Sequence, residues 1–431
     1  MKRRAESEIK SELLSKEQHI DWLSEPVDLE KAHETLRDSI LPLWRLNYDP
    51  DQLIEKRNLV LKYLAETRRR LLLINPEIGN VDSVKFVEES DSKGQTTICK
   101  LAPIIPSYKG GSVAVGSFKS WNFMPRNSTK VIDALQKFVT ACSKREFKEL
   151  PPLNAFDPIT YNGNWRHVLI RESRSGDTLV VLYINAYGFT EEDINNLLNE
   201  LRTWFQTGPG SDSGLTSLYL SVSSRSGIKQ SGENLRQVFG KPYIIEQCCG
   251  LNFHISISAF FQVNTLAAEL LFERISCLCN LPSKNEITCN NENLNEKKRI
   301  LLDVCCGTGT IALCLSKNVE FFAGKAENIL RNTIDSLPEC YDLSVVVDPP
   351  RAGLHHSVIQ LLRNCKQIQR IIYISCNIEY AVENFLNFAR PCSNKFTGIP
   401  FVPTIAEAVD LFPQTLHTEV ILLLERIPSI P

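Results

Sequence analysis

An α/β fold is predicted, with a C-terminal doubly wound parallel sheet following a mixed α+β unit, and three observations predict it. From about residue 251, short apolar runs alternate with helical stretches, the pattern of strands joined by crossover helices. Three of those runs, at 301–304, 343–347 and 371–374, break into polar or glycine turns, where open parallel sheets hold their ligands. Ahead of them, the stretches 165–172 and 178–184 flank Ser173-Arg174-Ser175-Gly176-Asp177, which reads as a hairpin with a glycine turn and no crossover helix. At 431 residues the chain exceeds what one core usually supports. The expected division is a charged tail over 1–40, a helix plus a central mixed β unit over 41–248, and a parallel-sheet domain over 249–431.

The elements follow in order. Residues 1–40 are charged and poor in aromatics, which favours a loose tail. Pro50 and Asp51 suit a helix start, and Leu53, Ile54, Leu61, Leu64 and Leu71 recur at helical spacing after them. Arg68-Arg69-Arg70 lies on that helix and reads as a solvated face, because adjacent helical residues point in different directions. Between Ser107 and Lys148 stand eight cations, namely Lys109, Lys119, Arg126, Lys130, Lys137, Lys144, Arg145 and Lys148, against only Asp133 and Glu146. Tyr108, Phe118, Trp121 and Phe123 are interleaved with them. Cations neutralise phosphates and aromatic faces stack on unpaired bases, so the mixture suits a folded RNA loop; a half-buried β surface with solubilising lysines is the plainer alternative. A strand near 215–222 completes the central unit, and the asparagine-rich stretch 280–298 reads as a loop before the next strand.

Composition narrows the function classes. The net charge of −2 denies the chain a globally basic surface, so nucleic-acid contact must come from a local patch. No apolar run approaches the roughly 18 residues of a spanning helix, so no membrane partner is expected. Glu6, Glu8, Glu12 and Glu17 in the first twenty residues argue against a signal peptide or an acid-poor transit peptide, and cytosol or nucleus is the expected compartment. The 14 cysteines are irregularly spaced, with no Cys-x-x-Cys and no histidine at metal-ligand spacing from a cysteine pair. Reduced thiols and no metal are expected.

The C-terminal half carries the chemistry. Asp303-Val304-Cys305-Cys306-Gly307-Thr308-Gly309 is a strand end breaking into a glycine turn that opens a helix, which allows close approach of a nucleotide-like ligand. Asp348-Pro349-Pro350-Arg351-Ala352-Gly353-Leu354 follows the next strand, and its two prolines fix the backbone so that Asp348 projects from the strand end. Arg351 suits a phosphate or carboxylate, or an ordinary ion pair. Ile371-Ile372-Tyr373-Ile374-Ser375-Cys376-Asn377 places a thiol at the mouth of the third strand, and His417-Thr418-Glu419-Val420 precedes a final apolar run.

These segments, with Phe260-Phe261-Gln262-Val263-Asn264, resemble the tRNA (uracil-5)-methyltransferases, most closely their animal cytosolic or nuclear branch. The resemblance runs over about residues 40–427. It implies a Rossmann-like catalytic domain behind an RNA-binding domain, with S-adenosylmethionine as cofactor and the T-loop of tRNA as substrate. Cys376 is implied as the nucleophile and Glu419 as the base, with Gln262, Asp348, Gly307 and Cys305 at the cofactor. The chemistry is intelligible: carbon 5 of uracil is a poor nucleophile until a thiolate adds at carbon 6, and a base must then remove the carbon-5 proton. Two other readings stay open, a catalytically silent tRNA-binding or tRNA-folding module and a 5-methyluridine enzyme acting on ribosomal or messenger RNA.

The chain departs from the family at two places. After Ile311-Ala312-Leu313-Cys314-Leu315-Ser316-Lys317 it runs directly into residues 318–327, which resemble the family's third strand and its turn, so the second strand and helix are expected to be missing. In such folds the second strand ends in the acid that binds the ribose hydroxyls, and its loss costs on the order of 2–3 kcal/mol in cofactor binding. The other gap, between Ser107 and Tyr108, removes a strand held to approach the RNA. Both losses read as skipped exons or an imperfect gene model.

Overall fold

The computed structural model describes Asp38 and residues 41–43, 45–76, 111–112, 126–155, 163–223, 235–281, 299–316, 318–337 and 341–426. The tail apart from Asp38, the cations and aromatics of 108–123 and nearly all of the asparagine-rich stretch lie outside them.

Helix α1 (Leu53–Ile74) is longer than its leucine pattern alone requires and turns a different face inward. Lys56, Val60, Thr67 and Leu71 are its buried residues, whereas Ile54 is exposed. Beyond it, β1 (Gly111–Ser112), β2 (Trp165–Glu172), β3 (Thr178–Asn185), β4 (Ser217–Ser223) and β5 (Leu235–Phe239) form a mixed sheet in that order. The hairpin expected from sequence is present: Glu172 pairs with Thr178, and Gly176 takes φ 93°, which a glycine adopts at no steric cost. Strand β4 runs parallel to β3 because α3 (Glu191–Gln206) supplies the crossover, its start fixed by a reciprocal capping box between Thr190 and Asp193. With α2 (Arg126–Ser143), α3 covers one sheet face, and Phe138, Leu197, Leu201, Val180 and Leu182 fill the core between them. Lys130, Lys137, Lys144, Arg145 and Lys148 are exposed on α2 and the turn after it, so these cations stand on a helix and its C-terminal turn and not on a β surface.

A two-stranded hairpin, β6 (Tyr243–Cys248) and β7 (Leu251–Ser256), leads through α4 (Thr265–Leu278) into the second five-stranded sheet. That sheet holds β8 (Arg299–Val304), β9 (Asp342–Val347), β10 (Ile368–Ser375), β11 (Phe401–Val409) and β12 (Glu419–Arg426), in the spatial order β11-β12-β10-β9-β8. Strands β8, β9 and β10 are parallel, and β12 returns antiparallel to β10. The helices are α5 (Thr310–Leu315), α6 (Ala326–Asp335), α7 (His356–Asn364) and α8 (Ile378–Ala389).

Strand alternation sorts the core. Val345, Val347, Ile371 and Tyr373 face a layer built from α6, α7, α8 and Val60 of α1. Val346, Ile372 and Ile374 face α4, α5 and the β6–β7 hairpin, and Leu179 and Val181 of β3 join this same cluster. The hairpin therefore belongs to the packing that joins the two sheets, with the sequence boundary at 248/249 falling inside it. Helix α1, grouped with the central strands from sequence, packs instead on α8, where Leu71 meets Val382 and Leu386.

Among the described residues the sheet ends at β8, in agreement with the absence of a second strand and helix. The third strand expected over 318–327 does not form: 318–325 is irregular and α6 begins at Ala326. The physical reason is pairing. In this topology the third strand bonds to the second, and without that neighbour its backbone has no ladder to join. Phe321 and Phe322, which a strand would have turned onto a sheet face, stand 59% and 54% exposed.

Candidate active site

Parallel strands put their carboxyl ends on one edge, and this orders the site. Val304 lies beside Val347, and Val347 beside Tyr373, so the residues following β8, β9 and β10 emerge side by side. They are Cys305, Asp348 and, one position beyond Ser375, Cys376. Because β12 is antiparallel to β10, with Ser375 opposite Val420, its first residue Glu419 arrives at the same edge. Two residues 43 positions apart in the chain thus meet through strand register.

The turn after β8 takes left-handed backbone at alternate residues: Cys305 has φ 69°, Gly307 55° and Gly309 73°. A side chain added at Gly307 meets nothing within 4 Å, so this glycine borders open space. One added at Gly309 strikes the Phe321 ring, the residue displaced from the unformed strand. Gln262 lies in the segment between β7 and α4, which reaches the turn through a 3.5 Å hydrogen bond from Thr308 Oγ1 to the Phe260 carbonyl. The same segment is tied to the central sheet by Arg171, whose Nη2 donates to the Ala259 carbonyl at 2.7 Å.

The electrostatics of this edge are set by one buried and two half-buried carboxyls. Burial pushes Asp348 up to about 6 and Asp303 up to about 7, with the Asp348 charge adding to the Asp303 shift. Asp303 Oδ2 accepts the Ala312 amide at 3.2 Å, while its Oδ1 is buried with no partner. Glu419 is 2% exposed, and burial followed by the charge of Asp348 raises it well above the ordinary carboxylate range. Burial and then Glu419 also raise the Cys376 thiol, opposed by a hydrogen bond and charge from Arg351. A guanidinium on a thiol favours its ionised, nucleophilic form. The sequence pointed to Arg351 as an anion ligand and left Asp303 inside a motif; the signal for Asp303 was an acid at an apolar strand end.

Two supports were not legible beforehand. Asn384 on α8 is buried; its Oδ1 accepts from the Leu354 amide at 2.6 Å and the Tyr373 hydroxyl at 2.8 Å, which fixes the loop carrying Asp348 and Arg351 against β10. The loop before Glu419 is held from α1. There Lys56 Nζ donates to Asp410 Oδ1 at 2.6 Å and to the Phe412 carbonyl at 2.8 Å, with Lys56 and Asp410 both fully buried. Gln52 Oε1 accepts the Gln414 amide at 2.8 Å just above them.

Comparison with known proteins accords with this geometry. A family model described as tRNA (Uracil-5-)-methyltransferase matches residues 331–427. The mouse tRNA (uracil-5-)-methyltransferase homolog A is 33% identical, over 94% of this chain and 71% of its own length. The human homolog A is 35% identical over 78% of this chain, which spans 54% of that relative's length. The human homolog B is 29% identical over 91% of this chain and 84% of its own. Among solved structures, Pyrococcus abyssi tRNA (uracil-54, C5)-methyltransferase in complex with S-adenosyl-L-homocysteine superposes with a TM-score of 0.53 at 20% identity, over 89% of this chain and 84% of that one. That likeness supports the Rossmann-like α/β fold.

Proposed function

The chain belongs to the tRNA (uracil-5-)-methyltransferase family, and from that premise we propose that it methylates carbon 5 of a uracil in tRNA, giving 5-methyluridine in the T-loop. The observation that carries the reading is the meeting of Cys376 and Glu419 at one strand edge with Asp303 and Asp348.

S-adenosylmethionine, when bound, supplies an electrophilic methyl group on a cationic sulfonium. The residues present fit such a group. Asp303 Oδ1 is a buried acceptor lacking a donor, the space beside Gly307 is open, and two carboxyls favour a cation. In this reading Cys305, Gly307, Gln262 and Asp348 would hold the cofactor.

Cys376 forms a bond to carbon 6 of the uracil, and the ring's electron pair moves toward carbon 5, which becomes nucleophilic. Arg351 favours the thiolate against burial and the charges of Glu419 and Asp348, which hold the proton on. After carbon 5 has gained its methyl group, Glu419 takes the carbon-5 proton, the ring double bond returns, and the Cys376 thiolate leaves. A carboxyl that holds its proton as tightly as Glu419 is a strong base once ionised. The exposed cations of α2 are placed to meet phosphates. No helix of the described residues is long and apolar enough to cross a membrane.

The test pairs product with trapped intermediate. Unmodified tRNA and labelled S-adenosylmethionine give 5-methyluridine with the parent chain, no product and no covalent complex with Cys376→Ala, and a denaturation-resistant protein–RNA complex with Glu419→Gln. Binding of tRNA with neither product nor complex would establish the silent module instead. Product in ribosomal or messenger RNA but not tRNA would reassign the substrate.

A further inference from the structure

The absence of any Cys-x-x-Cys argued against a metal, yet the fold gathers three thiols that sequence spacing keeps apart. Cys248 ends β6, Cys249 opens the turn to β7, and Cys314 sits on α5, the helix that follows the glycine turn. Their sulfur atoms all lie within 4.8 Å of one another. Cys248 and Cys314 are buried and Cys249 is half-buried, so the cluster touches the surface on one side only.

The scaffold around it is built. Cys248 pairs with Leu251, which leaves Cys249-Gly250 as a two-residue hairpin turn with φ 53° and 80°. Such turns favour asparagine or glycine at the first position, and a cysteine held left-handed there is backbone strain of the kind found at ligand sites. The turn is pinned from behind: Glu269 Oε1 accepts the Cys249 amide at 2.7 Å and pairs with Arg174 at 3.0 Å. Cys314 is placed from the other side, because Asp303 anchors the Ala312 amide of α5.

We propose that Cys248, Cys249 and Cys314 form a trigonal trithiolate site for a soft monovalent d10 ion, copper(I) in chemical class. Thiolates select soft ions. Structural zinc takes four ligands, and among the described residues no further His, Cys, Asp or Glu completes the group. Binding exchanges protons for metal: three thiols give up three protons as one copper(I) gains three sulfur bonds, with no change of oxidation state. Protons compete with the ion for all three sulfurs. Affinity therefore rises with pH. The ion would clamp the inter-sheet hairpin to α5, and nothing in this proposal depends on methyl transfer.

The experiment titrates the reduced full chain, without oxygen, with copper(I) held by a competing colorimetric chelator. One copper(I) per chain is expected to leave the chelator with a thiolate charge-transfer band, and the bound ion protects Cys248, Cys249 and Cys314 together from alkylation while exposed Cys277 stays reactive. Cys249→Ser and Cys314→Ser should each weaken binding by more than the roughly 10–100-fold typical of losing an outer-shell partner; Cys277→Ser should not. Should Cys314→Ser fail to fold, Cys249→Ser and the protection pattern still decide. Failure to withdraw copper, copper retained by the Cys249 or Cys314 variant, or zinc(II) held equally tightly by the same thiols would each overturn the assignment.

Discussion

At the residue scale, three acids, one buried and two half-buried, and one arginine set the pH behaviour of the site. Asp303 and Asp348 hold protons above their usual range in the free protein, at about 7 and about 6. Raised folded-state values stabilise the free fold below the unfolded carboxylate range, and that contribution is lost as pH rises through the folded values. Binding of cationic S-adenosylmethionine runs the opposite way, because it needs the ionised forms. Its affinity is expected to weaken several-fold as pH falls from 8 to 6, and Asp303→Asn to flatten that dependence, as titration calorimetry at stepped pH would report; a slope unchanged in the variant would remove Asp303 from the site. Arg351 works on the thiol. Replacing it by Met removes the charge that favours the thiolate, so the acidic limb of Cys376 alkylation should move to higher pH, by about one unit for a lost partner of about 1.4 kcal/mol. The positions of Cys376 and Glu419 beside apolar runs were legible in the sequence, while their roles came from the family resemblance alone. The coupling of Glu419 to Asp348 was not, since it arises from strand register and burial that no local pattern encodes.

At the element scale, α1 acts as a brace for the catalytic edge. Its leucines predicted a helix, but the buried face carries Lys56, whose ion pair with Asp410 holds the loop before Glu419. A buried lysine is invisible to hydrophobic periodicity, and its partner is 354 residues away. Removing one member strands the other without a partner, so Lys56→Met or Asp410→Leu alone should cost about 3–5 kcal/mol, whereas the double substitution should recover much of that loss. Thermal or denaturant unfolding of the single and double variants measures it. Equal damage in all three would show that the pair has no mutual role. The hairpin β2–β3 and the parallel strands β8 to β10 were readable in advance because alternation and glycine turns are local signals. The predicted strand over 318–327 was not realised, because a strand exists only with a neighbour to bond.

At the scale of the whole molecule, that unrealised strand is one consequence of a sheet that stops at β8. The absent unit has two physical roles, carrying the ribose-binding acid and pairing the next strand, and both losses converge on the same place. Phe321, released from any ladder, lies against Gly309 at the cofactor turn, and its neighbour Phe322 faces solvent. A strand–helix unit of about 30 residues, taken from a full-length relative and inserted between Lys317 and Asn318, should therefore act at two sites. It should give residues 318–325 ladder bonds and so slow their amide exchange, and it should draw both phenylalanines out of water. By restoring the ribose acid it should also tighten S-adenosylmethionine by about 2–3 kcal/mol, roughly 30- to 160-fold. Hydrogen exchange and cofactor titration on the same insertion variant separate the two effects. Protection without tighter binding would mean that the acid is dispensable and that the chain as it stands holds its cofactor through Asp303 and Asp348 alone; tighter binding without protection would break the link drawn here between strand pairing and the displaced Phe321.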